Sequence, residues 1–163
     1  MLQAIRPNTS NHTGNVSTGI GGRDNGVVKL GREISNSVKL DILDLLLIAT
    51  PPEEFSYDAG IKYLYYRDGK VLGLLAYNLV PMARIPTPLL IHIIGEHAFR
   101  KTREGYNFML STFLDLKKDH KVICTHIPND RMYIIKPMLK FGFVEYSEDK
   151  YGKFYYLDLE KIQ

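Results

Sequence analysis

Residues 89–143 read LLIHIIGEHAFRKTREGYNFMLSTFLDLKKDHKVICTHIPNDRMYIIKPMLKFGF. Two short apolar runs in this stretch have the length of buried strands, and the segments that follow them have helical spacing. The predicted elements are a strand over Leu89–Ile94, a basic turn over Phe99–Gly105, a helix over Tyr106–Lys118, a strand over Lys121–Ile127, and a helix after Asn129 that ends at Gly142-Phe143. A strand, a helix and a second strand in this order indicate a crossover connection within one sheet.

The basic turn before the central helix is the candidate ligand site. A helix N-terminus exposes unpaired N–H groups and partial positive charge, so it attracts phosphate groups. Arg100, Lys101 and Arg103 add positive charge, and Gly105 allows a close approach of backbone to a ligand. Glu104 opposes this, because a carboxylate repels phosphate. The alternative is a solvated basic turn that precedes an ordinary helix.

Both flanks of this stretch predict antiparallel pairing. Asp68-Gly69 separates the apolar runs Ile61–Tyr66 and Val71–Val80, which is a strong hairpin signal. Phe143–Tyr146 and Phe154–Leu159 predict a second, closing hairpin. Antiparallel hairpins at the ends and a crossover in the middle predict the α+β class, with a mixed sheet of about six or seven strands flanked by helices.

A helix is predicted ahead of the first hairpin. Ser35 or Ser37 is a suitable N-cap for a helix that continues to Thr50, where two prolines follow. Apolar residues cover most of its circumference, so we expect it to be buried on more than one side. The expected core joins this helix to the later elements through Leu43, Leu46, Leu110, Phe113, Ile123 and Phe143.

Length and composition divide the chain into an arm and one domain. Residues 1–34 form an extended arm rich in Gly, Asn, Ser and Thr, which is too polar to fold alone, and residues 35–163 form the domain. A single cysteine, Cys124, excludes an internal disulfide. The net charge of +3 is too mild to indicate nucleic acid. Because we find no signal peptide and no long apolar stretch, we expect a soluble intracellular protein without membrane contact.

The full order of elements resembles the GNAT fold of acetyl-CoA-dependent N-acetyltransferases. That family's pyrophosphate turn reads Arg/Gln-x-x-Gly-x-Gly/Ala. The register Arg100–Gly105 keeps its first and last positions but has Arg103 in place of a glycine. The register Thr102–Asn107 keeps only the middle glycine. We prefer the first register, because it places Phe108 and Met109 at the family's paired aliphatic positions.

The resemblance also implies which residues would act in an active enzyme. Arg100, Lys101, Arg103, Gly105 and Asn129 match positions that bind acetyl-CoA, and Glu96 and His97 lie where the family often places its catalytic base. The family's general-acid tyrosine in Tyr-x-x-x-Gly-Phe is Met138 here, and Pro137 interrupts the same helix. No metal site is expected.

A narrower resemblance concerns small GNAT-like virion-associated proteins of short-tailed bacteriophages. Phe99-Arg-Lys101, the Asn129 helix without the tyrosine, and the closing hairpin before Phe154 are similar to that group. This resemblance implies a degenerate acetyltransferase scaffold that joins a virion or assembly through contacts with other protein chains. The polar composition of the 1–34 arm makes it the expected site of these contacts. It implies the cytoplasm of a bacterial host, or a virion, as its location. The alternative is an active N-acetyltransferase; only then is a cofactor, acetyl-CoA, expected.

Overall fold

The computed structural model of the chain describes residues 2–3, 25–31, 33–48, 60–79 and 89–162. Most of the predicted arm, residues 4–24, and the predicted helix end at Thr50 lie outside this description. The strands are β1 (Leu2–Gln3), β2 (Gly26–Leu30), β3 (Ile61–Arg67), β4 (Lys70–Leu79), β5 (Leu89–Gly95), β6 (Val122–Pro128), β7 (Val144–Glu148) and β8 (Gly152–Asp158). The α-helices are α1 (Asn36–Ile48), α2 (Arg103–Leu116) and α3 (Ile135–Phe141), and short 3-10 helices cover Phe99–Lys101, Asn129–Ile134 and Leu159–Lys161.

The chain divides into two compact units, whereas its length predicts one domain. The first unit contains Met1–Tyr77 and Ile93–Asp115, and the second contains Asn78–His92 and Leu116–Gln163. Strand β5 therefore contributes residues to both units.

The first unit is built on the antiparallel strand order β1-β2-β3-β4. Its central hairpin turns at Asp68 and Gly69, which both have positive φ (52° and 78°). This is the backbone that a two-residue Asp-Gly turn requires, so the predicted hairpin is confirmed. Helix α1 begins where the sequence predicts, since the Ser35 hydroxyl accepts a hydrogen bond from the Val38 N–H (3.4 Å).

Strand β2 corrects the predicted boundary of the arm. Val27 to Lys29 pair with Tyr65 to Tyr63 of β3, and Val28 and Leu30 lie in the hydrophobic core of the first unit. The segment is short and polar on both sides, and its buried residues, Val27, Val28 and Leu30, do not alternate regularly, so no strand pattern was visible. Gly26–Leu30 therefore belongs to the folded unit and not to an arm.

Helix α1 is also buried differently from the expectation. Val38, Ile42, Leu45 and Leu46 form one buried stripe. Leu40, Leu43, Leu47 and Ile48 are exposed, so the helix is not buried on more than one side. The expected core set is thus wrong at Leu43, and Leu110 is only half-buried, while Leu46, Phe113, Ile123 and Phe143 are buried.

The second unit combines parallel and antiparallel pairing. Leu89 and Leu90 of β5 pair in parallel with Ile123 and Cys124 of β6. Strand β6 then pairs antiparallel with β8, and β8 with β7. The predicted crossover and closing hairpin are both present, so the α+β class with a mixed sheet and a GNAT-like order of elements is confirmed.

The segment after β6 shows how proline and glycine shape a short helix. Pro137 lies in the first turn of α3, where no N–H is needed, and the residues before it form a 3-10 helix with a non-helical backbone at Arg131. Gly142, at φ 124°, ends α3 and donates to the carbonyls of Met138 and Leu139 (both 3.2 Å). The interruption of the helix predicted from Pro137 is confirmed.

Among the described residues, no helix has the length and apolar character needed to cross a membrane.

Candidate functional site

The candidate turn follows β5 in the first unit and begins with a capping carboxylate. The Glu96 N–H donates to the Leu72 carbonyl of β4 (2.8 Å). The Glu96 carboxylate accepts hydrogen bonds from the N–H groups of Ala98 (3.1 Å) and Phe99 (2.8 Å). These two bonds lower the pKa of Glu96. The carboxylate therefore holds the start of the 3-10 helix, and its lowered pKa makes it a weaker proton acceptor.

Thr102 joins this 3-10 helix to α2. Its hydroxyl donates to the Phe99 carbonyl (2.7 Å) and accepts from the Gly105 N–H (3.1 Å). The second bond is the usual contact of an N-cap with the third helical residue. A Cβ on Gly105 would lie 2.2 Å from the Phe99 oxygen. Gly105 is therefore required because backbone packs against backbone of the same chain, a role distinct from the predicted approach to a ligand.

Most amide groups of the turn already have acceptors inside the chain. The N–H of Arg100 donates to Glu96, that of Lys101 to Ala98, and that of Thr102 to Phe99, all to carbonyl oxygens. With the bond from Gly105, four of the six N–H groups in residues 100–105 are used. The N–H groups of Arg103 and Glu104 have no acceptor among the described residues. Two amides are thus left to face an anion at the start of α2.

Glu104 is held by two residues of β3. Its carboxylate accepts a hydrogen bond from the Tyr65 hydroxyl and forms an ion pair with Arg67 (3.1 Å). Burial of Tyr65, followed by its bond to Glu104, raises the pKa of the tyrosine well above its ordinary value. The rings of Phe99 and Phe108 lie 4.9 and 5.9 Å from the Tyr65 ring. A negative charge is therefore fixed in the first turn of α2.

The cationic side chains of the turn are exposed. Arg100, Lys101 and Arg103 all lie in solvent at the surface of the first unit. The Arg100 guanidinium is 3.2 Å from Nδ1 of His97, which is exposed as well. The aliphatic part of Arg100 also lies against Gly95, where an added Cβ would come within 2.7 Å of its Cγ. Arg100 is thus directed back along β5.

Asn129, the remaining predicted cofactor residue, lies in the second unit and holds a hairpin turn. Its side-chain amide donates to the Lys150 carbonyl (3.0 Å), and its N–H donates to the Tyr151 carbonyl (2.8 Å). The turn is closed by the Asp149 carboxylate, which accepts from the N–H groups of Tyr151 and Gly152 (both 2.9 Å). Asn129 therefore connects the end of β6 to the β7–β8 turn.

His126 completes this second cluster. Its Nε2 lies 3.2 Å from the Asp149 carboxylate, and its ring lies 4.6 Å from that of Phe154. Backbone bonds, together with the histidine, lower the pKa of Asp149. No group of three potential metal ligands is present in the described part of the chain.

The resemblance aligns the family's general-acid tyrosine with Met138, whose side chain ends in a thioether. Met138 is half-buried in α3, and Tyr133, in the preceding 3-10 helix, is 62% exposed. A methionine has no proton to donate to a leaving thiolate. Cys124 is buried, and burial raises the pKa of its thiol to about 11.

Three features of the site were missed from the sequence. The capping role of Thr102 had a signal, because a threonine just before an apolar helical run is a typical N-cap. The contacts of Glu104 with Tyr65 and Arg67 had none, since they join residues 39 and 37 positions apart. The capping bonds of Glu96 are also beyond spacing rules, because they depend on the 3-10 helix that follows.

Solved structures that are similar to this chain include acetyltransferases. An acetyltransferase of the GNAT family from Staphylococcus aureus Mu50 has a TM-score of 0.60 and 12% identity, covering 82% of this chain and 98% of that one. The ribosomal-protein-S18-alanine N-acetyltransferase from Escherichia coli has a TM-score of 0.58 and 11% identity, with coverage of 83% and 94%. An N-acetyltransferase from S. aureus Mu50 has a TM-score of 0.55 and 17% identity, with coverage of 82% and 97%.

No protein-family model and no curated protein matches the sequence. At the identities above, the structural likeness defines the fold alone. The chain has the GNAT fold.

Proposed function

We propose that this chain is a GNAT-fold protein that has lost acetyl transfer and acts as an assembly component through contacts with other proteins. The observation that carries the proposal is the hydrogen bonding of the turn at residues 100–105. Four of its six amides are satisfied within the chain, and Glu104 adds a fixed carboxylate beside the two that remain. A pyrophosphate group needs several converging N–H donors and no competing anion.

The groups needed for chemistry support the same proposal. Acyl transfer to an amine requires a base for the ammonium and an acid for the leaving thiolate. Glu96 is engaged as a cap with a lowered pKa, and Met138 stands at the acid position. His97 is exposed at the surface, and its Nδ1 lies 3.2 Å from the Arg100 guanidinium.

The finer part of the proposal is a role in a bacteriophage virion or its assembly. It rests on the resemblance of Phe99-Arg-Lys101, the Asn129 segment and the closing hairpin to small GNAT-like phage proteins. The proposed partners are other protein chains, contacted by the arm. Because β1 and β2 pair in the sheet of the first unit, this arm is limited to residues 4–24.

The second candidate is an active acetyl-CoA-dependent N-acetyltransferase. The observation in its favour is that the N–H groups of Arg103 and Glu104 have no acceptor among the described residues, with Arg100, Lys101 and Arg103 close by in sequence. In this case acetyl-CoA would bind at residues 100–105 and Glu96 or His97 would act as the base.

An acetyl-transfer assay separates the two candidates. The full chain is incubated with acetyl-CoA and amine acceptors of several classes, and the free thiol of released coenzyme A is measured. The buried Cys124 thiol adds little background, because its raised pKa keeps it protonated. We expect a rate equal to that of the protein-free blank. Turnover with any amine, abolished by Glu96→Gln or His97→Ala, would contradict the first proposal.

The assembly role is tested with two truncations. Besides the arm, removal of residues 1–24 deletes only the two-residue edge strand β1, so we expect it to leave the first unit folded and to abolish co-assembly with virion proteins. Removal of residues 1–32 deletes β2 with Val28 and Leu30, and we expect it to prevent folding. Mass spectrometry of purified particles provides the direct readout of the virion role. Particles that lack the chain, or that retain it after removal of residues 1–24, would contradict the assigned role.

A further inference from the structure

Helix α1 carries a second apolar stripe, opposite the one that packs in the core of its unit. Leu40, Leu43 and Leu47 have 62%, 40% and 69% of their surface exposed. At 3.6 residues per turn they lie within about 60° of arc on the helix. Their spacing, i, i+3 and i+7, is that of alternating a and d positions in a coiled coil. Exposed leucines that follow this spacing form a seam for a second helix.

The charged residues beside the seam would complement each other between two copies of the helix. Lys39 precedes Leu40 on one side of the seam, and Asp44 follows Leu43 on the other side. With Leu40 and Leu47 as a positions and Leu43 as d, Lys39 is a g position and Asp44 an e position. In a parallel pair of helices, each g residue faces the e residue five positions later on the partner. Lys39 and Asp44 are separated by that interval and have opposite charges.

We propose that α1 is a self-association surface, on which the α1 helices of two copies pack in parallel about a twofold axis. Leu40, Leu43 and Leu47 contact their counterparts, and Lys39 of each copy pairs with Asp44 of the other. The contact is isologous, so it closes as a dimer. An antiparallel pair would place Asp44 against Asp44 and is disfavoured. This inference goes beyond the proposed function, because it does not depend on whether the turn at residues 100–105 binds a cofactor.

The oligomeric state of the full chain tests the proposal first. Sedimentation velocity is measured from about 10 µM to about 1 mM, the range in which small interfaces associate. We expect a monomer–dimer equilibrium whose dissociation constant rises at least about tenfold in Leu47→Lys. Leu139→Lys, at another exposed leucine in α3, is the matched control and is expected to leave the equilibrium unchanged. Both positions are exposed, so unfolding temperatures near that of the wild type verify the fold.

A charge-reversal cycle and a crosslink test the parallel geometry. Lys39→Asp and Asp44→Lys are each expected to weaken the dimer several-fold, and the double variant to restore it. In a Cys124→Ser background, Leu43→Cys is expected to form a disulfide-linked dimer on mild oxidation, since d positions face each other. A chain that stays monomeric over the whole range, as it would if its own residues covered the stripe, overturns the proposal. So does a dimer insensitive to Leu47→Lys, or a double variant as weak as the single ones.

Discussion

The turns at residues 96–105 and 149–152 are capped in the same way but differ in the further contacts of their polar groups. Each begins with a carboxylate that accepts two backbone N–H groups, Glu96 in the first unit and Asp149 in the second. Each also needs a glycine against a backbone carbonyl, Gly105 at Phe99 and Gly152 at Ile127. The second turn is tied further by Asn129 and His126, whereas the first leads into a long helix with two open amides and a fixed Glu104.

Under the proposed function, the first turn is an altered ligand site, whereas the second is a hairpin that has only been stabilised. In the second turn the polar groups described above bond to one another, as expected for a structural hairpin. In the first turn, Thr102 accepts one of the N–H groups that would serve an anion, and the Glu104 carboxylate would oppose an anion there. The experiments below test the comparison in order of decreasing expected effect.

The largest effect is expected from adding a methyl group to either glycine. In Gly105→Ala and Gly152→Ala the new Cβ would lie 2.2 and 2.1 Å from a carbonyl oxygen. Backbone must move to relieve this contact, so each variant should lose at least about 3 kcal/mol of unfolding free energy. Urea denaturation followed by circular dichroism measures the loss.

The control for this pair is Gly69→Ala in the β3–β4 turn, where nothing lies within 4 Å of the new Cβ. The only expected cost is the strain of placing a Cβ on a residue with a φ of 78°, which should lower the free energy of unfolding by about 1–2 kcal/mol. If Gly105→Ala were no more harmful than Gly69→Ala, the close backbone contact in the first turn would be incorrect.

A smaller effect is expected from the helix cap of the first turn. Thr102→Ala removes the acceptor for the Gly105 N–H and the donor to the Phe99 carbonyl, so it should cost about 1 kcal/mol. Thr102→Ser keeps the hydroxyl and should behave like the wild type. Equal stabilities of the alanine and serine variants would show that the hydroxyl does not cap α2.

The two capping carboxylates should make the free energy of unfolding depend on pH in the acid range. Backbone hydrogen bonds lower the pKa of both Glu96 and Asp149 in the folded chain, so the unfolded chain binds more protons. Their contribution to the free energy of unfolding is fully present at pH values above the ordinary carboxyl pKa of about 4. It is lost as the pH falls through the lowered pKa values of the folded chain. Glu96→Gln with Asp149→Asn should therefore flatten the acid side of the stability profile.

This prediction is checked by urea midpoints at pH 7 and at about pH 3, on either side of the carboxyl titration. The double variant should lose less stability between the two pH values than the wild type does. An identical loss in both proteins would mean that neither carboxylate is bound to the backbone as described.

The sequence was most informative where local chemistry decides the structure. Asp68-Gly69 specified its hairpin, Ser35 its helix start, and Gly142-Phe143 the end of α3, because each depends on neighbouring residues. It was least informative where tertiary contacts decide. The apolar residues of α1 did not reveal which stripe is buried, and β2 was hidden because its partner, β3, lies more than thirty residues away.

The features of the candidate site also separate into those that the local sequence predicts and those that depend on tertiary contacts. The location of the basic turn and the absence of the tyrosine at Met138 were read directly from the order of residues. That Glu96 and Asn129 hold turns, and that Tyr65 and Arg67 hold Glu104, required the fold, since hydrogen-bond partners distant in sequence leave no local pattern.

The most direct test of the central claim is a calorimetric titration of the full chain with acetyl-CoA at low salt, with an active GNAT acetyltransferase as the positive control. Low salt favours charge attraction and so gives binding its best chance. We expect no saturable heat up to about 1 mM ligand, a limit equivalent to about 4 kcal/mol of binding free energy. The matched variant Glu104→Gln, which keeps an acceptor for Tyr65 and removes the charge, should bind no worse than the wild type. Saturable micromolar binding by the wild type, lost on charge reversal at Arg100 and Lys101, would contradict the account.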